Sequence, residues 1–471
     1  MKFIDLFAGL GGFHKALHEL GHECVFASEL NTGLREVYKI NWGKDINIHG
    51  DIRKIVETNI TSIPKHDILC AGFPCQPFSK AGNQEGMNDK VRGTLFDEIV
   101  KILKYRTPKY FILENVPYIR QHDNEETWKY MHKQLSKLGY DVDHEVYSPQ
   151  DFGIPQHRKR IFIVGSLTGL KHFSFKQIDE QKTSVADIHQ YIEENPTIFK
   201  ELPKANQDCI KLWQKFIDQI PKETKLPSFP IWGMEFGATY PFETSYPLKL
   251  SVKDLGEFKG NFGRSLKNMT KDEQRANLPS YARVEKSFPS WKRSYIRKSR
   301  AFYQENKKHI QDIVKEIAKN PSQSWQKLEW NVGDSKRTIS DYILQFRASG
   351  IRVKKVDFFP SIVCTNTQIP IIGWQNRYIT KEEGLRLQSL EGLTLPSNDT
   401  AAFEALGNAV NSKINLGVPA MPLANTQINS QWQCRRAFRY NLFVRSSQKG
   451  FPLQSLTQNP IFENTYYSQA A

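Results

Sequence analysis

Two rhythms of apolar and polar positions alternate over the first 166 residues. Short apolar runs read as strands: "KFIDLF" at 2–7, "ECVFASE" at 23–29, "HDILCAGF" at 66–73 and "KYFILENV" at 109–116. Between them, "GGFHKALHEL" carries Phe13, Leu17 and Leu20 at helical spacing, and "LREVYKIN" and "TLFDEIVKILKYR" are further amphipathic stretches. "DFGIPQHRKRIFIVGS", 151–166, closes with one more strand. Strand–helix alternation of this kind predicts an α/β domain with a parallel sheet covered on both faces. In such sheets ligands bind beyond the carboxyl ends of the strands.

After Ser166 the alternation stops. Residues 167–375 mix turn-rich segments with two predicted helices, "CIKLWQKFIDQI" and "QENKKHIQDIVKEIAKN". Order returns at 376–417, where Thr380 followed by Glu383 is a capping-box pattern that opens a helix. The middle therefore reads as a separate domain inserted between two parts of one α/β unit. Residues 418–471 are rich in Gln, Asn, Ser and aromatics, with Glu463 the only acid, and predict an irregular tail.

The bulk properties narrow the class. The chain has 471 residues, enough for two or three domains with substantial cores. No apolar window of about 18 residues exists, so no membrane span is expected. Asp5 interrupts the apolar N-terminus, which argues against a signal peptide and for the cytoplasm. Six cysteines lie scattered without paired spacing, arguing against a zinc site or a disulfide scaffold. No metal is expected. A net charge of +15 favours a polyanionic partner such as nucleic acid.

Candidate chemistry sits at the strand ends. In "DLFAGLGGF" a strand runs into a turn where Gly9, Gly11 and Gly12 let backbone approach a ligand. His14 stands where the dinucleotide fingerprint wants a glycine, so that pattern fails. Glu29 ends the second strand, where a carboxylate can accept both hydroxyls of a ribose, and Asp51 follows the next short strand. Cys75, in "GFPCQPFS", lies between Pro74 and Pro77, which cannot extend a central strand or helix. The thiol is either a nucleophile on a stiffened loop or a structural cysteine. Glu114 ends the following strand, and Gln156, Arg158 and Arg160 alternate in "QHRKR", projecting to one face if extended.

Together, "DLFAGLGGF", "GFPCQPFS", "RGTLF", "ENV", "QHRKR", "RLQSLEGL" and "GNAVN" make this sequence resemble the C5-cytosine DNA methyltransferases. The resemblance covers roughly 1–166 and 377–412, and the unmatched middle is where that family places its target-recognition domain. It implies a Rossmann-like sheet that uses S-adenosylmethionine. Phe7 and Asp51 with Ile52 would meet the adenine and Glu29 the ribose. Gly9, Gly11, Pro74 and Leu95 would line the pocket, and Asn408 would close it. Cys75 would be the nucleophile, Glu114 would hold cytosine N3 and N4, Arg160 would contact O2, and Arg158 would brace DNA or the loop nearby.

The partner implied is double-stranded DNA, bound by a monomer in the bacterial cytoplasm at the nucleoid. Pairing with a restriction endonuclease follows by family habit. The segment 76–93, with Gln76, Ser79 and Arg92, has the composition of a loop that closes over a flipped base. Residues 251–310 hold 15 Lys/Arg against 6 Asp/Glu, and "SWKRSYIRKSR" offers Lys292, Arg293, Arg297 and Lys298 to DNA. Arg347 and Arg352 in "QFRASGIRVKK" are a second candidate. A tRNA-directed C5 methyltransferase and a non-catalytic DNA-binding protein of the same fold remain rival readings. Two departures from the family stand out. Asp97 replaces a frequent aromatic, and Gly417 and Pro419 end the helix after "GNAV" within about two turns.

Overall fold

The computed structural model describes residues 1–74, 95–171, 173–175, 188–364 and 368–417. The loop 75–94 and the tail 418–471, for which closure and irregular structure were expected, lie outside the described residues.

The first sheet is built from β1 (Lys2–Leu6), β2 (Glu23–Ser28), β3 (Ile48–His49), β4 (Ile68–Gly72), β5 (Tyr110–Asn115), β6 (Asp141–Tyr147) and β8 (Arg160–Ser166), in the order β3-β2-β1-β4-β5-β8-β6. Strands β1 and β4 read as unbroken apolar runs because both their faces are covered: Phe3, Ile4, Leu6 and Ile68–Ala71 are all buried. The covering helices are α1 (Gly12–Glu19), α2 (Thr32–Trp42), α3 (Ile52–Asn59), α4 (Leu95–Arg106) and α5 (Glu126–Lys137). Leu20, expected on the buried stripe of α1, lies just past its end and is exposed.

The expectation of a parallel sheet needs correction. Strands β3 to β5 are parallel, but β8 runs antiparallel to both β5 and β6. Strand β6, "DVDHEVY", escaped sequence reading because it is an edge strand whose side chains are mostly exposed or half-buried, leaving no apolar run to find. The antiparallel strand brings its first residue, Arg160, to the carboxyl end of β5.

A second, six-stranded sheet uses β9 (Ile231–Trp232), β10 (Lys327–Asn331), β11 (Ile343–Arg347), β12 (Gly350–Lys354), β14 (Ile371–Ile372) and β15 (Arg377–Tyr378), ordered β15-β14-β11-β12-β10-β9. A short pair, β7 (Gln156–His157) with β13 (Phe359–Pro360), ties this region to the strand that leads into β8. The helices here are α6 (Lys204–Asp218), the short α7 (Val252–Gly256) and α8 (Lys271–Ala276), and α9 (Ser290–Ala318). Three more follow in the return segment: α10 (Lys381–Gln388), α11 (Asp399–Asn408) and α12 (Ser412–Gly417).

Helix α9 joins two features that the sequence separates. The basic patch and the amphipathic stretch after it form one helix of 29 residues, unbroken by Gly or Pro. Ile296, Ser299, Phe302, Asn306, Ile310, Ile313, Val314 and Ile317 make up its buried side, recurring mostly at spacings of three and four. From Phe302 onward the apolar ones share a core with Trp213 and Phe216 of α6, Leu328 and Trp330 of β10, and Leu385 and Leu406 of the return helices, while Ile296 packs in a separate cluster with Trp232 and Tyr240.

The capping box at α10 is present and does more than open a helix. Glu383 accepts from the backbone N–H of Thr380 at 2.7 Å and of Glu193 at 2.8 Å, and pairs with Arg377 through two contacts of 2.7 and 2.9 Å. Both side chains are buried, so every charge is matched by a hydrogen-bonded partner.

Candidate active site

Four strand ends form the rim. The chain leaves β1 through Phe7, whose φ of 57° is unusual for a residue with a side chain and stores roughly 1–3 kcal/mol of backbone strain. Gly9 follows at φ 53°, and its N–H donates to Glu29 Oε2 at 3.0 Å. Glu29 Oε1 accepts from Asn31 N–H at 2.8 Å. The carboxylate therefore fastens the turn to the end of β2 and keeps further lone pairs for a diol.

Gly12 is required for a different reason. A Cβ there would lie 2.1 Å from the carbonyl oxygen of Val410, in the "GNAVN" segment nearly 400 residues away. Val410 Cγ2 likewise lies 2.9 Å from where a Cβ on Gly72 would stand. We expect Gly12→Ala to force these backbones apart at about 1–3 kcal/mol, the usual cost of overpacking. The check is a thermal midpoint lower by several degrees.

Beneath the turn lies a buried polar cluster that the sequence reading missed. His14 Nδ1 is 2.6 Å from Tyr38 Oη, and its ring stacks on Trp42 with centroids 4.0 Å apart. Asp5 is buried beside them, and desolvation pushes its pKa well above the carboxylate range. Leu30 was also missed. It is 67% exposed one residue beyond Glu29, a large apolar side chain left in water. Its signal is weak, since single exposed leucines are common.

Asp51 caps α3 by accepting from Arg53 N–H at 3.0 Å, and the Arg53 guanidinium grips the same carboxylate at 2.7 Å. Those bonds hold the Asp51 pKa below its ordinary value. Ile52 beside it is buried. Leu95 is the first residue of α4 and half-buried; Asn408 is exposed at the end of α11, accepting from Cys364 Sγ at 2.9 Å. Asp97 is engaged by Tyr130 Oη at 2.6 Å.

Glu114 is the centre of the rim. It pairs in register with Gly72, the last residue of β4, and its Oε2 would lie 3.6 Å from a Cβ placed there. It is buried, and Arg160 Nε approaches its Oε1 at 3.0 Å. Burial raises the Glu114 pKa, with the charges of Arg160 and Arg158 working against that rise. Next along β5, Asn115 Nδ2 donates to the Phe73 carbonyl at 2.9 Å, which pins the exit from β4. Exposed Pro74 is the last described residue there; Cys75, Gln76, Ser79 and Arg92 lie outside the described residues.

Arg158 requires a correction. It was expected to brace DNA or the loop nearby, but it is 3% exposed and its guanidinium is engaged by the protein's own backbone. Its guanidinium donates to Ser361 Oγ and to the carbonyls of Ile362, Gly407 and Ala409 at 2.7–3.2 Å. Burial beside Arg160 pushes its pKa down to about 9, still charged at neutral pH. It is a strut joining β7 to the "GNAVN" segment, and thus a positioning residue. Gln156, Arg158 and Arg160 do share the inward side, because His157 and Lys159 between them are exposed.

The basic candidates are partly committed elsewhere. Arg297 pairs with the Glu243 carboxylate at 2.7 Å, and Arg293 donates to the Glu243 carbonyl at 3.0 Å. Lys292 lies 5.5–6.0 Å from the rings of Tyr281, Phe288 and Trp291, and Lys298 is 5.5 Å from Phe229. Arg347 and Arg352 converge on Glu329. Among the described residues no three His, Cys, Asp or Glu side chains gather as metal ligands, and no helix is long and apolar enough to cross a membrane.

Comparison with known proteins places this rim in a family. A model of the C-5 cytosine-specific DNA methylases matches residues 1–415. The type II methyltransferase M.HaeII of Haemophilus aegyptius is 42% identical over 49% of this chain and 68% of its own length. M.HhaI of Haemophilus parahaemolyticus is 42% identical over 40% of this chain and 56% of its own, and M.MspI of Moraxella 44% identical over 37% and 40%. The matched part thus spans 40–68% of the length of these relatives. With a family match running from the first strand to the last described helix, this chain belongs to the C-5 cytosine-specific DNA methylase family.

Proposed function

We propose that this chain methylates C5 of a specific cytosine in double-stranded DNA, by base flipping and a covalent Cys75–C6 adduct. The observation that carries the reading is a buried carboxyl, Glu114, with a raised pKa, 3.0 Å from Arg160 and paired with the residue three positions before Cys75.

The strand-end residues fit S-adenosylmethionine. The positive-φ turn at Phe7 and Gly9 leaves open space over the backbone, and Glu29 has lone pairs free for a ribose. Leu30 offers apolar surface to an adenine, with Asp51 an acceptor at its edge and buried Ile52 behind it. When bound, the cofactor supplies the electrophilic methyl group.

The chain's own residues then prepare the base. Cytosine C5 is too weak a nucleophile to react unaided. The Cys75 thiolate adds to C6, and the displaced electron pair makes C5 nucleophilic. Glu114, whose pKa burial raises, donates in its protonated form to N3 and draws charge from the ring as the adduct forms. Arg160 offsets the negative charge that develops at O2. After C5 is methylated, a base removes the C5 proton and the electron pair expels Cys75. The loop 76–93 closes over the flipped base.

The second sheet and α9 serve as the target-recognition domain. Their basic residues contact phosphates for affinity and base edges for sequence. The setting is a restriction–modification system in a bacterial cytoplasm. There the protein works as a monomer on nucleoid DNA and protects it from a paired endonuclease.

Incubation with methyl-labelled S-adenosylmethionine and either duplex DNA or tRNA tests the reading. Label in 5-methylcytosine of DNA is expected. Label only in tRNA, or in neither, would overturn it.

A further inference from the structure

One face of the second sheet carries charge where the opposite face carries the core. Leu328, Trp330, Leu344, Phe346, Ile351 and Val353 point inward, so Glu329, Arg352, Gln345 and Arg347 share the other side. Glu329, Arg352 and Gln345 stand abreast across β10, β12 and β11. Glu329 is buried, and its Oε2 accepts from Arg352 Nε at 2.7 Å while Arg347 Nη1 lies 3.5 Å away.

This arrangement is unbalanced as a structural ion pair. One carboxylate faces two guanidiniums, and Arg347 Nη1 is buried with no hydrogen-bond partner among the described residues. Burial and Arg352's charge also press the Arg347 pKa down. A cluster with a surplus positive charge and an unused donor is suited to receive an acceptor. The cluster is linked to the rim. Strand β12 leads to β13, which pairs with β7 just before Arg158 and Arg160, and the charges of Arg352 and Lys354 reach His157.

We propose that Arg352, aimed by Glu329, reads a guanine of the target site in the major groove through O6 and N7, with Arg347 held beside it as a second donor. With Nε committed to Glu329, Arg352 presents its two Nη atoms as a fork of fixed orientation, about 30% exposed. A fixed fork matches the two adjacent acceptors of guanine. A phosphate contact needs no buried buttress, and the exposed cations of α9 suffice for that. Glu329 is the positioning residue and Arg352 the reader.

This inference rests on the DNA-methylating reading, and its test separates the two. Wild type, Arg352→Lys and Glu329→Gln are each incubated with a random-sequence duplex library, and methylated cytosines are mapped. The wild-type site should contain a guanine at which both variants accept other bases, with the remaining positions unchanged. Replacing that guanine by 7-deazaguanine, which removes N7 and keeps O6, should lower wild-type kcat/KM roughly 10-fold, part of the worth of a bidentate contact, and leave Arg352→Lys unaffected. Arg352→Lys keeps Glu329 paired, so it carries the test if Glu329→Gln melts early. An unchanged site in both folded variants, or a wild-type site without guanine, overturns the inference alone. Wild type that methylates no DNA overturns both readings.

Discussion

Cys75→Ala is expected to lose methyl transfer to background while still binding S-adenosylmethionine and DNA. Removing a covalent nucleophile elsewhere costs roughly a million-fold in kcat, because no other group on the site can take over bond formation. The local frame supports this size of effect. Strand β4 delivers the chain at Gly72, opposite Glu114, and Asn115 pins Phe73 at 2.9 Å, so only Pro74 separates a held backbone from Cys75. A proline there limits the backbone states that the thiol can sample. Duplex DNA carrying 5-fluorocytosine distinguishes chemistry from binding. Fluorine at C5 cannot leave as a proton does, so the wild type should form a complex that survives denaturing gels. Cys75→Ala should form none; an equal yield from the variant would assign the adduct to another residue.

Glu114→Gln has the next largest expected effect, a fall in kcat of roughly 10²- to 10⁴-fold, the range for a lost general acid. The amide preserves shape and can still donate a hydrogen bond, so DNA affinity should change little. The pH dependence has a definite sign. Burial raises the Glu114 pKa, so the neutral, donating form persists above the ordinary carboxylate range, and activity is lost as pH rises through the raised value. The same sign applies to stability. The favourable contribution of neutral Glu114 is complete below the unfolded pKa and disappears as pH rises through the folded one. Arg160 works against burial, so Arg160→Gln should move this limb of the kcat profile to higher pH while lowering the maximum. A limb that stays in place would show that Glu114 does not set it.

Local patterns carried much of the architecture. The alternation of apolar runs located β1, β2, β4, β5 and β8, and with them the strand-end positions of Glu29 and Glu114. Thr380 and Glu383 signalled α10, since a capping box is complete within four residues. These features are legible because their causes, side-chain periodicity and backbone termination, act over a few positions.

Other features depend on contacts between distant residues. The sequence alone presented Arg158 as a brace for DNA or the loop nearby; folding buried it against carbonyls at 362, 407 and 409. Gly12 looked like a turn glycine that lets backbone approach a ligand, and only the fold set Val410 against it. Strand β6 formed without an apolar signal because its neighbour β8 supplies the hydrogen bonds. Arg352 and Glu329 are 23 residues apart and meet only through the pairing of β10 with β12. The sequence by itself therefore determined the family, the α/β order and the strand-end candidates. Tertiary structure alone decided which charges face ligand and which hold the scaffold, because that choice is made by desolvation and by partners that no local pattern encodes.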